Sequence, residues 1–201
     1  MHISTALNAG TQPPPVGGLG RFAETGRHFD GPLAAPVQDG SRRTSDGLLS
    51  VPARLDDGDR PAVLAHFLSL SEDDRRMRFL RVMADHAIEA YVARIAFSEI
   101  VCFGVFDAQR SLVALVEGIP YSSQAKLMME AAFSTNEAWR RNGLARALCE
   151  SLGEYASSCG VARVALHCDG RNRPMRALLC AIDAVTHIEE GELDAEWDPT
   201  Q

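Results

Sequence analysis

Lysine is nearly absent from this chain. Lys126 is the single one, so the remaining basic residues are arginines, which reads as coding bias rather than function. Positive charge is short as well. The formal net charge is −7, and a general nucleic-acid binder is normally basic, so that partner class is excluded. The five cysteines (Cys102, Cys149, Cys159, Cys168 and Cys180) are odd in number and include no Cys-x-x-Cys pair. Neither a disulfide framework nor a zinc site follows, and no metal is expected. All five fall in apolar segments, so small buried hydrophobes are the expectation. No long apolar run is present either. The first twenty residues lack the core of a signal peptide, and no segment is long enough to span a bilayer. No membrane association and a reducing cytoplasm are therefore expected.

With 201 residues, 46% of them hydrophobic, the chain suits one domain with a sizeable core plus a tail. Residues 1–45 hold half of the prolines, including Pro13-Pro14-Pro15, and show no apolar periodicity. Such a segment buries too little apolar surface to offset its ordering entropy, and a flexible tail is expected. Residues 46–201 are the expected folded domain. Leu48 to Ala53 reads as a first strand. Asp59-Arg60-Pro61 opens a helix, with Asp59 as cap and Val63, Leu64, Phe67 and Leu68 as its inner stripe. Ser71-Glu72-Asp73-Asp74 resembles a capping box at the start of a second, short helix. Ile88, Tyr91, Val92 and Ile95 have the spacing of a third. Two strands, Ile100–Phe106 and Leu112–Glu117, form a hairpin. A strand over Lys126–Ser134, a helix over Leu144–Ser157 and a strand over Val161–Cys168 follow. A helix over Arg173–Ile182 and a last hairpin, Val185–Glu189 with Leu193–Trp197, complete an α/β (α+β) pattern: a mixed sheet with helices on both faces.

The most informative stretch is Arg140-Arg141-Asn142-Gly143-Leu144-Ala145, between the strand that ends near Ser134 and the long helix. The first amides of a helix have no partner within it and carry the positive end of its dipole, so they suit an anion such as a pyrophosphate. Gly143 permits close approach, and Arg140 and Arg141 add charge. A tight connection with no ligand is the other reading. The stretch is neither a Walker loop, which needs the eight-residue spacing with a Lys-Ser/Thr end, nor the three-glycine dinucleotide fingerprint.

From Glu130 onward the sequence Glu-Ala-Ala-Phe-Ser-Thr-Asn-Glu-Ala-Trp-Arg-Arg-Asn-Gly-Leu-Ala resembles motif A of the GNAT acetyltransferase superfamily. Arg140, Gly143 and Ala145 fill the defined places of its Gln/Arg-x-x-Gly-x-Gly/Ala turn. Asn172-Arg173-Pro174-Met175-Arg176-Ala177-Leu178 is similar to motif B. Leu70-Ser71 through Arg78-Phe79 is similar to a segment of the bacterial protein-lysine acetyltransferase type. The resemblance implies a GNAT-like, mostly antiparallel sheet and acetyl-CoA as co-substrate. It implies a pantetheine arm on the backbone of Ala132, Phe133 and Ser134, and a pyrophosphate on the amides of Arg141, Asn142, Gly143, Leu144 and Ala145 beside Arg140. Asn172 would touch the pantetheine arm. As an Asn before Arg-Pro it also reads as a helix cap, and the two roles can coexist.

Acetyl transfer to an amine needs a proton acceptor and a positioned thioester, without metal or covalent intermediate. Glu130 is the candidate catalytic base. Its neighbours Leu127, Met128, Met129, Ala131 and Ala132 are apolar, and a carboxylate in such company is costly unless used or paired. The resemblance places a Glu at this position, ten residues before the motif A Arg. The other readings are a solvent-facing strand Glu or one tied to an Arg. Leu179 occupies the place where many relatives carry a Tyr that protonates the leaving thiolate, with Cys180 beside it, so the general acid is open. Tyr121 and Tyr155 are not placed by sequence. His167 reads as a hydrogen-bonded structural residue or a proton relay. Arg75, Arg76, Arg78 and Arg81 read as a solvated face with acidic neighbours or as a border of the acceptor site. The acidic stretch Glu189–Asp198 reads as an exposed hairpin face or an attractor of cationic amines. The expected function is N-acetyl transfer from acetyl-CoA to a primary amine, on a protein lysine or a small molecule. The alternative is a weakly catalytic or inactive acetyl-CoA-binding regulatory module.

Overall fold

The computed structural model describes Arg27 and His28 and then residues 49–200. Eight strands form one sheet: β1 (Arg27–His28), β2 (Ala53–Arg54), β3 (Val101–Phe106), β4 (Leu112–Ser123), β5 (Lys126–Thr135), β6 (Arg163–Asp169), β7 (Val185–Glu189) and β8 (Glu192–Trp197). Their order is β2-β3-β4-β5-β6-β8-β7, with β1 paired to β4. Every pairing is antiparallel except β5 with β6. The helices are α1 (Arg60–Ser69), α2 (Glu72–Phe79), α3 (Asp85–Ala93), α4 (Leu144–Ser158) and α5 (Arg173–Ala181).

Helices cover both faces, as the pattern predicts. Leu144, Leu148, Leu152 and Ala156 recur at helical spacing along α4, and they pack on Met129, Ala131, Val164 and Leu166 of one face. Leu179 of α5 joins this core. On the other face Phe67 of α1, Phe79 of α2 and Ile88, Tyr91 and Val92 of α3 close over Cys102 and Leu115. Phe67, Phe79 and Tyr91 meet edge to face, with centroids 5.2 to 5.9 Å apart. This second layer stops at α2, which borders β5 and β6. Beyond it β7 is exposed along its whole length, and so is Glu196 of β8.

Several expectations change. Of the strand expected over Leu48–Ala53, the described residues form Ala53–Arg54 plus an isolated bridge from Leu49 to Asp107, and the pairing register with β3 slips by one residue between the two. Asp59 does not cap α1. Its side chain accepts from the Asp56 N–H at 3.1 Å, closing a 3-10 turn just before the helix. Ser71 does cap α2, accepting from the Asp74 N–H at 3.2 Å. Of the cysteines, Cys102, Cys149 and Cys168 are buried, but Cys180 is exposed and Cys159 half-buried. β1 falls within the segment expected to be a tail, and the rest of residues 1–45 lies outside the described residues. Among the described residues no helix is long and apolar enough to cross a membrane.

Candidate active site

The feature that makes a site is a parting of strands. β5 and β6 pair only at Met128–Arg163, Met129–Val164 and Glu130–Ala165. Past Glu130, β5 continues on β4 as far as Thr135, while β6 continues on β8 as far as Asp169. A wedge opens between them, with Glu130 and Ala165 at its apex. Leu127 C=O accepts from the Ala162 N–H at 2.8 Å, and Val113 C=O accepts from the Asn136 N–H at 2.9 Å. Alternation between these two points directs the backbone polar groups of Ala131, Phe133 and Thr135 into the wedge. Those of Ala132 and Ser134 point to β4. Of the three residues expected along a pantetheine arm, Phe133 thus offers its backbone to the opening. Ala132 and Ser134 differ by one step of the pleat, and Ala131 and Thr135 share the direction of Phe133.

The wedge runs on to the turn before α4. Arg141 and Gly143 both adopt left-handed backbone, with φ of 62° and 74°. Glycine takes that conformation freely, whereas an arginine does so at a cost of roughly 1–2 kcal/mol. Asn142 clasps the turn by donating to the carbonyls of Trp139 (3.1 Å) and Arg140 (3.2 Å). Among the described residues no side chain caps α4, and its first turn contains no acidic residue. The amides of Gly143, Leu144 and Ala145 therefore present an uncapped, positive helix end. The Leu144 side chain is buried in the core, which leaves only its N–H to the site. Arg141 is exposed. Arg140 pairs with Asp74, whose other oxygen accepts from Ser71 Oγ at 2.8 Å. That arginine ties the turn to the N-terminus of α2. Asn172 caps α5, its Oδ1 accepting from the Met175 N–H at 3.1 Å.

Glu130 is 4% exposed, so it is not a solvent-facing strand Glu. Register fixes its surroundings. Glu130 pairs with Ala165, and Ala165 pairs with Glu196 of β8. The two glutamates thus stand in one row, on one face, with an alanine between them. Tyr121, the partner of Met128, is the diagonal neighbour of Glu130 on that face. Burial first, then the charges of Glu196 and Glu130, push its phenol up to about 12. Tyr155 lies across the sheet, 6.0 Å from Phe103 and under the Arg54 guanidinium. Only Tyr121 of the two shares the face of Glu130. Leu179 is 1% exposed, a core residue where relatives carry a Tyr. His167 follows Ala165 by two residues on β6; its Nδ1 lies 2.6 Å from Asp194 and its Nε2 3.6 Å from Glu192. It sits between carboxylates on the diverging strand.

Polar groups under the roof of this face take places that the sequence did not reveal. Arg78, read from sequence as part of a solvated face, is buried and paired with Glu117. Tyr91 donates to Glu117 at 2.9 Å. The Arg78 guanidinium also lies over Phe79 (4.9 Å) and Phe67 (5.5 Å). Arg75 is likewise drawn inward, donating to the carbonyls of Leu68 (2.6 Å) and Leu70 (3.1 Å). His66 is fully enclosed. Its Nδ1 is 3.1 Å from Leu112 C=O and its Nε2 is 2.8 Å from Ser134 Oγ. Burial holds His66 down at about 4, so the ring is neutral near pH 7. A carbonyl only accepts, which puts the proton on Nδ1 and makes Ser134 the donor to Nε2. The helical spacing of His66 with Val63 and Phe67 was the one available hint.

The acetyltransferase (GNAT) family model matches residues 64–180, more than half of the chain. The chain belongs to the GNAT acetyltransferase family. Its activity is acetyl transfer from acetyl-CoA to an amine. Among solved structures, the GNAT domain of S. lividans PAT is similar with a TM-score of 0.62 and 18% identity, over 73% of this chain and 89% of that one. The ribosomal-protein-S5-alanine acetyltransferase of Vibrio fischeri is similar at 0.62 and 12%, over 75% and 93%. The spermidine N-acetyltransferase of Vibrio cholerae, in complex with CoA and spermine, is similar at 0.56 and 19%, over 74% and 93%. No curated protein matches the chain in sequence. Within this GNAT fold, the wedge, the uncapped α4 and Glu130 are contiguous.

Proposed function

We propose that acetyl-CoA lies in the wedge with its diphosphate on the amides of Arg141, Asn142, Gly143, Leu144 and Ala145. Its pantetheine arm would run along Ala131, Phe133 and Thr135, with Asn172 on the far side. The parting of β5 and β6 immediately after Glu130 carries this reading. Strand backbone without a strand partner is matched by an amide-bearing ligand, and the uncapped helix end is matched by a diphosphate. No metal ligand set is needed.

Acetyl-CoA supplies a thioester whose carbonyl is open to attack. Glu130, at the apex, takes the proton that the attacking primary amine gives up, directly or through water. The C–N bond forms, the C–S bond breaks, and the thiolate leaves and is protonated. A β5 amide facing the wedge stabilises the oxyanion. The acceptor is a protein lysine or a small primary amine. Thiol release in the presence of acetyl-CoA and a panel of amines tests this. Glu130→Gln should bind acetyl-CoA like the wild type in calorimetric titration while losing about 10²- to 10⁴-fold in turnover. Equal turnover would remove Glu130 from the chemistry. A wild type that binds but never turns over would favour the regulatory module, the reading to which Leu179 in place of a Tyr lends support.

A further inference from the structure

We propose that Glu196 is the second carboxylate of the acceptor site, and that the site selects primary alkylammonium groups with no carboxylate nearby. The inference rests on the wedge being the acetyl-transfer site. Glu130, Ala165 and Glu196 occupy one cross-strand row at the apex. Two strand spacings, about 10 Å between the outer Cα atoms, separate the glutamates, and the small Ala165 floors the slot between them. Tyr121 closes the slot on the β4 side, near enough for both charges to act on its phenol.

The two acids differ in how they are held. Glu130 is buried beside the roof of α2. Glu196 is exposed, and among the described residues its side chain makes no hydrogen bond or ion pair. The neighbouring acids of that face are engaged, since Asp194 holds His167 and Glu192 approaches it. Glu196 therefore has its charge available at the mouth of the slot. An entering ammonium meets it first and is guided to Glu130, the group that removes the proton. A lysine side chain or an alkyl diamine fits this field. The α-amino group of a free amino acid brings its own carboxylate into a slot walled by two others, and like charges at that distance repel.

The test compares wild type and Glu196→Gln with three acceptors: 1,4-diaminobutane, Nα-acetyl-lysine methylamide and glycine. The wild type should acetylate one or both cations and reject glycine. Which cation is preferred separates a small-molecule acceptor from a protein lysine. Glu196→Gln should raise KM for the cation roughly three- to tenfold, as for a partly exposed charge pair. The turnover number and acetyl-CoA affinity should hold. The wild-type KM should rise with added salt more steeply than that of the variant, a response that a merely structural Glu196 would not give. An unchanged KM in Glu196→Gln overturns the proposal even if acetyl transfer is intact, and so does efficient acetylation of glycine. Failure of the wild type to bind acetyl-CoA would overturn both this inference and the reading it rests on.

Discussion

Glu117 and Glu130 stand on adjacent strands, face the same way, and are 0% and 4% exposed. Their neighbourhoods are opposite. Glu117 lies under the full thickness of α1–α3, with the Arg78 guanidinium and the Tyr91 hydroxyl on its oxygens. Its charge is neutralised where it stands, and burial and that same charge push Tyr91 well above the usual phenol range. Glu130 lies where the roof ends and the sheet parts, in a row with a second carboxylate. One acid is used to join a helix to a sheet. The other is placed where a cation and a proton can come and go. The difference is one of position relative to the edge of α2, because the backbone conformation is the same extended strand in both.

Removing each carboxylate in turn should separate the two roles. Glu117→Ala leaves a buried guanidinium unpaired, a change that costs about 3–5 kcal/mol of folding stability. Denaturant midpoints measure it. The triple substitution of Arg78→Met, Glu117→Leu and Tyr91→Phe should recover most of that loss, since a well-packed apolar cluster leaves neither a guanidinium nor a hydroxyl unpaired. Glu130→Gln should change stability by less than about 1 kcal/mol, because an amide of the same shape retains hydrogen-bonding capacity, while turnover collapses. A comparable loss of stability in Glu130→Gln would make the two glutamates alike and sink the contrast.

His66 gives a third case, a buried titratable group kept neutral. Its folded value near 4 lies below the ordinary 6.5. Between those values the unfolded chain takes up a proton that the folded chain refuses. Stability is therefore full above pH 6.5 and falls as the pH drops toward 4, by ~3 kcal/mol from this group. His66→Gln should flatten that part of the stability–pH curve relative to wild type. A curve parallel to wild type would mean that the folded chain protonates His66 as readily as the unfolded chain does.

The contrast also explains what the sequence could reveal. Hydrophobic periodicity placed α1, α3 and α4, and the motif A turn was visible because backbone needs, one glycine before a helix, leave a local mark. Glu130 stood out as a charge in an apolar strand. Arg78 did not, since α2 is charged almost all round (Glu72, Asp73, Asp74, Arg75, Arg76 and Arg78) and one buried guanidinium among them leaves no pattern. Glu117 lay at the predicted end of a strand that in fact runs to Ser123. Gly118 and Pro120 follow that predicted end. In the fold a Cβ at Gly118 would come within 2.7 Å of Leu152 and Met129, so the glycine is a packing requirement. Pro120 lies two residues past the last β3 partner of β4, so its missing N–H takes nothing from the β3–β4 ladder. Tyr121 and its place beside Glu130 were hidden by the same truncation. Pairings between distant strands, such as Glu130–Ala165–Glu196, follow from register, which short-range pattern does not encode.

The smallest expected effect concerns Arg140, the motif A residue whose side chain turns away from the helix amides to Asp74. If the arginine acts by tying the turn to α2, Asp74→Asn should loosen the turn and weaken acetyl-CoA binding slightly. Asp74 is partly exposed, so the pair is worth under about 1 kcal/mol and the loss of affinity should stay within roughly fivefold. If Arg140 instead reaches the diphosphate in the complex, cutting it loose removes a competitor for its charge, and affinity should rise. Calorimetric titration at low and at moderate salt gives the sign. A weaker, salt-insensitive affinity in Asp74→Asn supports a mechanical strut. A tighter, salt-sensitive one would transfer Arg140 to the ligand and leave the α2–turn contact as a resting arrangement.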